Sequence, residues 1–216
     1  QGISVVDAML ISHTDLDHIS GVQELLTLKE KHLTTLRIRN LLLPDWKAPE
    51  AVYHELEEQA KRCGISVIRL HQGQKLRFGG VSLKILAPEP GADGTDVNEE
   101  GVVLELEYGK FRGLFTGDIG AETEKKLLPE LDDVDFLKVG HHGSRYSTCQ
   151  EFLDGIKPEL AVISCSETNT YGHPSPETTE RLEQNGIQTE YTMKNGAITV
   201  ISDGKSMWLE RFIEDV

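Results

Sequence analysis

Four side chains able to bind a metal ion fall within six residues of one another, in the segment His13-Thr-Asp15-Leu-Asp17-His18. Imidazole combined with carboxylate suits zinc, manganese or iron better than calcium, and the lack of a nearby thiolate argues against a closed structural zinc site. The competing interpretation is a polar loop whose Asp and His side chains cap the next helix. Three more positions offer ligands of the same kind: Asp118 in Thr-Gly-Asp, the pair His141-His142, and His173 before Pro174. Taken singly, Asp118 could be a turn residue or an N-cap and His173 a loop histidine. His32, His54 and His71 stand alone in polar or helical surroundings and read as surface or structural residues.

The segments around these residues share a placement. Val5 to Ser12 is apolar except for Asp7 and predicts a buried strand that hands over to His13 on a loop. Asp118 follows the strand-like Phe111 to Thr116, His141 and His142 follow Phe136 to Val139, and His173 lies in a turn after Val162 to Ser164. Strand ends can hold converging side chains rigidly, so one edge is expected to collect all the candidates. Val22, Leu25 and Leu26 recur at helical spacing, Arg37 to Leu43 is strand-like up to Pro44, and Ala51 to Cys63 is helical with Gly64 as its C-cap. Glycine-centred hairpins are expected at Gly79-Gly80 and Gly109-Lys110, and another at Asp203-Gly204. Helices are expected near Ala121 to Leu131 and Cys149 to Ile156, and from Ser175 as N-cap and Pro176 at N1 to Gly186. Hairpins among βα units argue for mixed sheets covered by helices rather than a doubly wound parallel sheet.

Pro88 to Gly101, rich in Gly, Asp and Pro, is the one long loop and is expected to be functional or mobile. Asp96, Asn98, Glu100, Gly101 and Glu107 nearly trace a calcium-binding EF-hand loop, but Val102 to Tyr108 alternates like a strand where a helix is required, so calcium is rejected there.

With 216 residues, 38% of them hydrophobic, the chain is the size of a single domain, expected to span 1–216. Its apolar runs are far short of the ~20 residues that cross a bilayer and no leader opens the sequence, so the chain as given reads as soluble. The 36 acidic and 22 basic residues leave a net charge of −14, a surface that repels nucleic acid and anionic membranes, so a polyanionic substrate must be held locally, partly by metal. Cys63, Cys149 and Cys165 are widely spaced and do not fix a redox compartment.

Taken together, Leu-Ile-Ser-His13-Thr-Asp15-Leu-Asp17-His18-Ile-Ser-Gly21, Phe115-Thr-Gly-Asp118-Ile, Leu137-Lys-Val-Gly-His141-His142-Gly-Ser144 and Asn169-Thr-Tyr-Gly-His173-Pro-Ser175 resemble motifs of the metallo-β-lactamase superfamily. In their order they resemble the C-terminal domain of ComEC-type DNA-internalisation competence proteins, and Thr192 with Gly196-Ala-Ile resembles its closing segment. The resemblance implies an α/β fold, the αββα sandwich of two mixed sheets flanked by helices. It implies two divalent metal ions, zinc or manganese: His13 and Asp15 on one, Asp17 and His18 on the second, Asp118 joining them and His173 completing the second. His141 or His142 would be a further ligand or the general acid, without a choice between them, and Asp17, His141 and His142 form the catalytic set. The chain departs from the superfamily in having Asp15 where histidine is usual, and Asn98 in the region of the usual mid-chain histidine, which shifts the first site toward harder ligands. The family's N-terminal strand and an Asp-Val-Gly-Gln-Gly-Asp-like motif would lie upstream of residue 1, implying a truncated first sheet.

The implied activity is a metal-dependent nuclease or phosphodiesterase acting on DNA during competence-related uptake, with the ions acidifying water and clamping the oxygens of an in-line displacement at phosphorus. Arg145, Lys138 and Lys47 are the candidates for a basic groove. The net charge favours a first rival, a small-molecule phosphodiesterase or lactonase. A second rival is a catalytically weak scaffold stabilised by metal. Association with a membrane would come only through a ComEC-type parent protein, and the oligomeric state is not legible.

Overall fold

The computed structural model describes residues 2–213, and the chain divides into two compact units. The first comprises 1–72 and 87–102, the second 73–86 and 103–216.

The first unit is built of βα repeats. Strands β1 (Val5–Leu10), β2 (Arg37–Pro44) and β3 (Ser66–Leu70) form a sheet in that order, joined by helices α1 (Leu16–Glu30) and α2 (Ala51–Arg62). Both pairings are parallel, because each connection is a helical crossover rather than a turn. The expectation of mixed sheets therefore does not hold for this one among the described residues. Ile11, Ile19, Leu26, Leu41, Leu43, Trp46, Tyr53 and Leu56 form the buried core. The middle strand β2 ends in four buried residues, whereas β1, expected to be buried, is half-buried because it lies at the edge of the sheet. The long loop is tied down: Glu100 accepts backbone N–H groups from Gly94 and Thr95 at 2.6 and 3.0 Å, and its carbonyl accepts the Trp46 indole N–H at 2.7 Å.

The second unit carries a seven-stranded mixed sheet. The hairpins fall where glycine places them, with β4 (Lys75–Phe78) and β5 (Val81–Ala87) around Gly79-Gly80, and β6 (Val103–Tyr108) and β7 (Phe111–Phe115) around Gly109-Lys110. Beyond β7 the chain alternates with helices: α3 (Ala121–Leu127), β8 (Phe136–Lys138), α4 (Gln150–Ile156), β9 (Leu160–Ile163), α5 (Pro176–Gln184) and β10 (Gln188–Tyr191). The order is β10-β9-β8-β7-β6-β5-β4, with β7 to β10 parallel. Ser175 caps α5, its hydroxyl accepting the Thr178 N–H at 3.3 Å, as the sequence predicts. After a short helix α6 (Thr192–Asn195), β11 (Ile198–Ser202) and β12 (Met207–Arg211) form an antiparallel hairpin. Its Ile198, Val200, Met207 and Leu209 pack on Phe136, Leu160 and Val162. Among the described residues no helix is long and apolar enough to cross a membrane.

Gly94 tests the loop packing. Its φ is +80°, and a Cβ there would lie 2.8 Å from the Trp46 ring, so Gly94→Ala combines a left-handed backbone with a clash against a fully buried indole. A loss of more than about 1 kcal/mol is expected in chemical denaturation. Stability equal to wild type would show that the loop is not fastened through Trp46.

Candidate metal centre

In the first unit the residues around His13 are arranged by the junction of β1 and α1. The helix starts at Leu16, so Asp17 and His18 lie in its first turn rather than on the expected loop. Asp15 is the N-cap residue, yet its side chain makes no capping hydrogen bond, which removes the capping explanation for this carboxylate. His13 is wholly buried, while Asp15 and Asp17 have side chains 49% and 63% exposed. His13 Nε2 lies 3.7 Å from Asp15 Oδ2 and His18 Nε2 lies 3.8 Å from Asp17 Oδ2. The Nδ1 atoms of both rings meet one hydroxyl, Ser12 Oγ, at 3.1 and 3.2 Å. Asn98, in the tied loop, has a buried Oδ1 without a hydrogen-bond partner among the described residues.

In the second unit parallel pairing sets the loops after β7, β8 and β9 side by side. Asp118 is 6% exposed, and Gly120, not Asp118, is the N-cap of α3. Backbone bonds fasten the neighbouring loops, His141 N to Gly117 O at 3.1 Å and Ser175 N to Gly143 O at 2.9 Å. The 140–143 turn holds His141, His142 and Gly143 all at positive φ, a strained conformation for the two histidines. His142 Nδ1 is 2.8 Å from the Ser164 carbonyl, to which it must donate, and His142 Nε2 is 3.6 Å from Asp118 Oδ2. The His141 ring meets His173 edge-on at 5.7 Å, and Tyr171 stacks on His173 at 5.9 Å. Burial, reinforced by His141 and His142, holds the His173 imidazole below its ordinary pKa and so in the neutral form that ligates metals. His173 Nδ1 is buried and lacks a hydrogen-bond partner among the described residues.

These donor sets fit a divalent cation. The Ser164 carbonyl fixes a proton on His142 Nδ1, which leaves Nε2 as the ring nitrogen directed at an Asp118 carboxylate oxygen 3.6 Å away. Two ligands each bound about 2.1 Å from one tetrahedral ion stand about 3.4 Å apart, close to the spacing of all three His–Asp pairs. The structure thus brings His13, Asp15, Asp17 and His18 together in one unit, and Asp118 with His142 and His141 with His173 in the other.

Three contacts are not legible in the sequence, although Ser12 and Asn169 stand within the motifs quoted above. The Ser164 carbonyl is backbone and leaves no sequence signal. Asn169 donates to Ser166 O and His173 O at 2.7 and 2.6 Å and accepts His173 N at 2.9 Å, and Ser12 is an ordinary polar residue by type. Of the basic candidates, Lys138 is half-buried: its ammonium bonds the Val139 carbonyl at 3.1 Å, and burial pushes its pKa down against the pull of Asp118. Lys47 is exposed, as is Arg145, which faces Glu177 at 3.4 Å.

A family model described as a beta-lactamase superfamily domain matches residues 1–148. ComE operon protein 3 of Bacillus subtilis is 30% identical over 200 residues, covering 92% of this chain and 25% of that protein. Competence protein ComA of Neisseria gonorrhoeae is 27% identical over 204 residues, covering 91% and 25%. The chain therefore spans about a quarter of the length of the curated relatives it matches. The fold is that of the metallo-beta-lactamase fold protein YhfI from Bacillus subtilis, at a TM-score of 0.55 and 11% identity over 86% of this chain and 75% of that one.

Asn169→Asp keeps the acceptor for His173 N but removes both donors, setting a carboxylate against two carbonyls. Amide hydrogen exchange at His173 is expected to quicken about tenfold or more, since each hydrogen bond is worth about 1 kcal/mol. Exchange at the wild-type rate would mean that Asn169 does not hold this loop.

Proposed function

The chain belongs to the beta-lactamase superfamily domain family, a superfamily of metal-dependent hydrolases, and on that premise we propose that it hydrolyses phosphodiester bonds of DNA in the setting of DNA uptake. His13, Asp15, Asp17, His18, Asp118 and His173 are the proposed ligands of two divalent metal ions, zinc or manganese. The observation that carries the metal-dependent reading is His142, whose Nδ1–H is committed to the Ser164 carbonyl while Nε2 faces Asp118. DNA as substrate is supported by the similarity to a relative named a competence protein.

When bound, divalent ions acidify water and neutralise the charge that builds on a phosphoryl group. The chain's residues do the remaining work. His142 is assigned as a further ligand beside those six, because its Nδ1–H is held by the Ser164 carbonyl while Nε2 faces Asp118. His141, whose ring is packed edge-on against His173, is assigned as the general acid that hands a proton to the leaving oxygen as its bond to phosphorus breaks. Asp17, exposed in the first turn of α1, is assigned to orient the attacking water as well as to bind metal. The net charge of −14 favours a second reading, in which the same chemistry serves a small phosphodiester or a lactone.

Metal-stripped protein reloaded with Mn²⁺ or Zn²⁺ is expected to cleave single- or double-stranded DNA, and Asp118→Ala to abolish cleavage. His141→Ala should keep its metal but lose about 10²- to 10⁴-fold in rate on DNA, and far less on a p-nitrophenyl phosphodiester, whose leaving group needs no proton. Absence of DNA cleavage with Mn²⁺, Zn²⁺ and Mg²⁺ contradicts the nuclease reading, and turnover of small esters alone selects the second one. Equal losses on both substrates would remove His141 from the acid role.

A further inference from the structure

Ser12 carries two interactions on one hydroxyl. Its Oγ stands 3.1 Å from His13 Nδ1 and 3.2 Å from His18 Nδ1, and the two rings lie together with centroids 3.9 Å apart. Their far nitrogens, both Nε2, point to the carboxylates of Asp15 and Asp17. Ser12 is itself held firmly, since its carbonyl accepts the Val102 N–H at 2.8 Å and the preceding Ile11, buried, donates its N–H to Leu42 O at 3.0 Å.

A hydroxyl owns one proton and two lone pairs, and a neutral imidazole one N–H and one lone pair. If Ser12 donates to either ring, that ring carries its proton on Nε2, where it blocks metal. If Ser12 accepts from both, both Nδ1 atoms keep their protons and both Nε2 lone pairs are presented toward the carboxylates. We propose that Ser12 is a positioning residue that accepts from His13 and His18 at once and so fixes both in the Nδ1–H form that ligates through Nε2. The inference rests on the reading of these histidines as metal ligands. The hydroxyl does not ligate: its lone pairs are occupied by the two ring N–H groups. Partners that fix a ligand's tautomer are worth about 10- to 100-fold in metal affinity.

The test compares wild type, Ser12→Ala and Ser12→Thr in two assays. One is the Zn²⁺ and Mn²⁺ affinity by competition with a chromophoric chelator. The other is the long-range ¹H–¹⁵N spectrum of the imidazoles in the metal-free protein. Ser12→Ala is expected to weaken metal binding about 10- to 100-fold and to move His13 and His18 out of a pure Nδ1–H pattern, with the metal-free melting temperature close to wild type. Ser12→Thr, which keeps the hydroxyl, should restore both signals. Should Ser12→Ala fail to fold, Ser12→Cys, with only a weak sulfur acceptor, makes the same comparison. Wild-type tautomers in the metal-free variant, or unchanged affinity in a protein that binds metal, would overturn the role of Ser12. A wild type that binds no metal would instead overturn the reading of His13 and His18 as ligands, and the metal-free spectra would still decide for or against Ser12.

Discussion

In a parallel sheet neighbouring strands run out at the same edge, and the chemistry of the second unit depends on that constraint. Phe115 pairs with Lys138 and Lys138 with Val162, so β7, β8 and β9 end in register. The residues that follow, Asp118, His141 and His142, and the Ser164 carbonyl, are far apart in sequence but leave the sheet as neighbours. Backbone bonds between the loops then fix what the sheet has gathered. The bond from His141 N to Gly117 O links the first two loops, and that from Ser175 N to Gly143 O links the second to the third. Gly143 shows how closely they approach, since a Cβ there would come 2.7 Å from Pro174 Cβ.

Within these loops the decisive detail is which ring nitrogen holds the proton. A metal ligand must offer a lone pair, and an imidazole offers one only on the side its other nitrogen leaves open. His142 is set by a backbone carbonyl and, in the proposed scheme, His13 and His18 by a single hydroxyl, so the protein orients donors before any ion arrives. Exposed carboxylates at Asp15 and Asp17 add negative charge at the helix α1 N-terminus, where the backbone dipole favours it. In the proposed scheme, bound cations would supply the local attraction for an anionic substrate that a chain of net charge −14 does not.

Much of this was legible in the sequence where side-chain pattern and backbone demand coincide. Gly79-Gly80 and Gly109-Lys110 mark their hairpins, and Ser175-Pro176 marks the start of α5, because turn and cap geometry admits few residue types. The ligand candidates are recognisable by type and by their place after strands. The start of α1 was not legible, since its first turn exposes Leu16 and Asp17 and turns only Ile19 to the core ahead of the pattern at Val22, Leu25 and Leu26. The short strand β10, Gln-Thr-Glu-Tyr, lies at the edge of its sheet and has no apolar run to betray it. Ser12, Asn169 and the Ser164 carbonyl were hidden for another reason: their roles arise from what they touch, and contact is a property of the fold.

Where a divalent ion binds, and through which atoms, decides whether these residues form a metal centre. Anomalous scattering from crystals grown with Mn²⁺ or Zn²⁺ reads both directly. The prediction is metal about 2.0–2.3 Å from Nε2, not Nδ1, of His13 and His18 in the first unit, and from Nε2 of His142 and the Asp118 carboxylate in the second, with the Nδ1 atoms still on Ser12 and on the Ser164 carbonyl. Metal bound elsewhere, or held through Nδ1 with the Ser12 and Ser164 contacts broken, would contradict it.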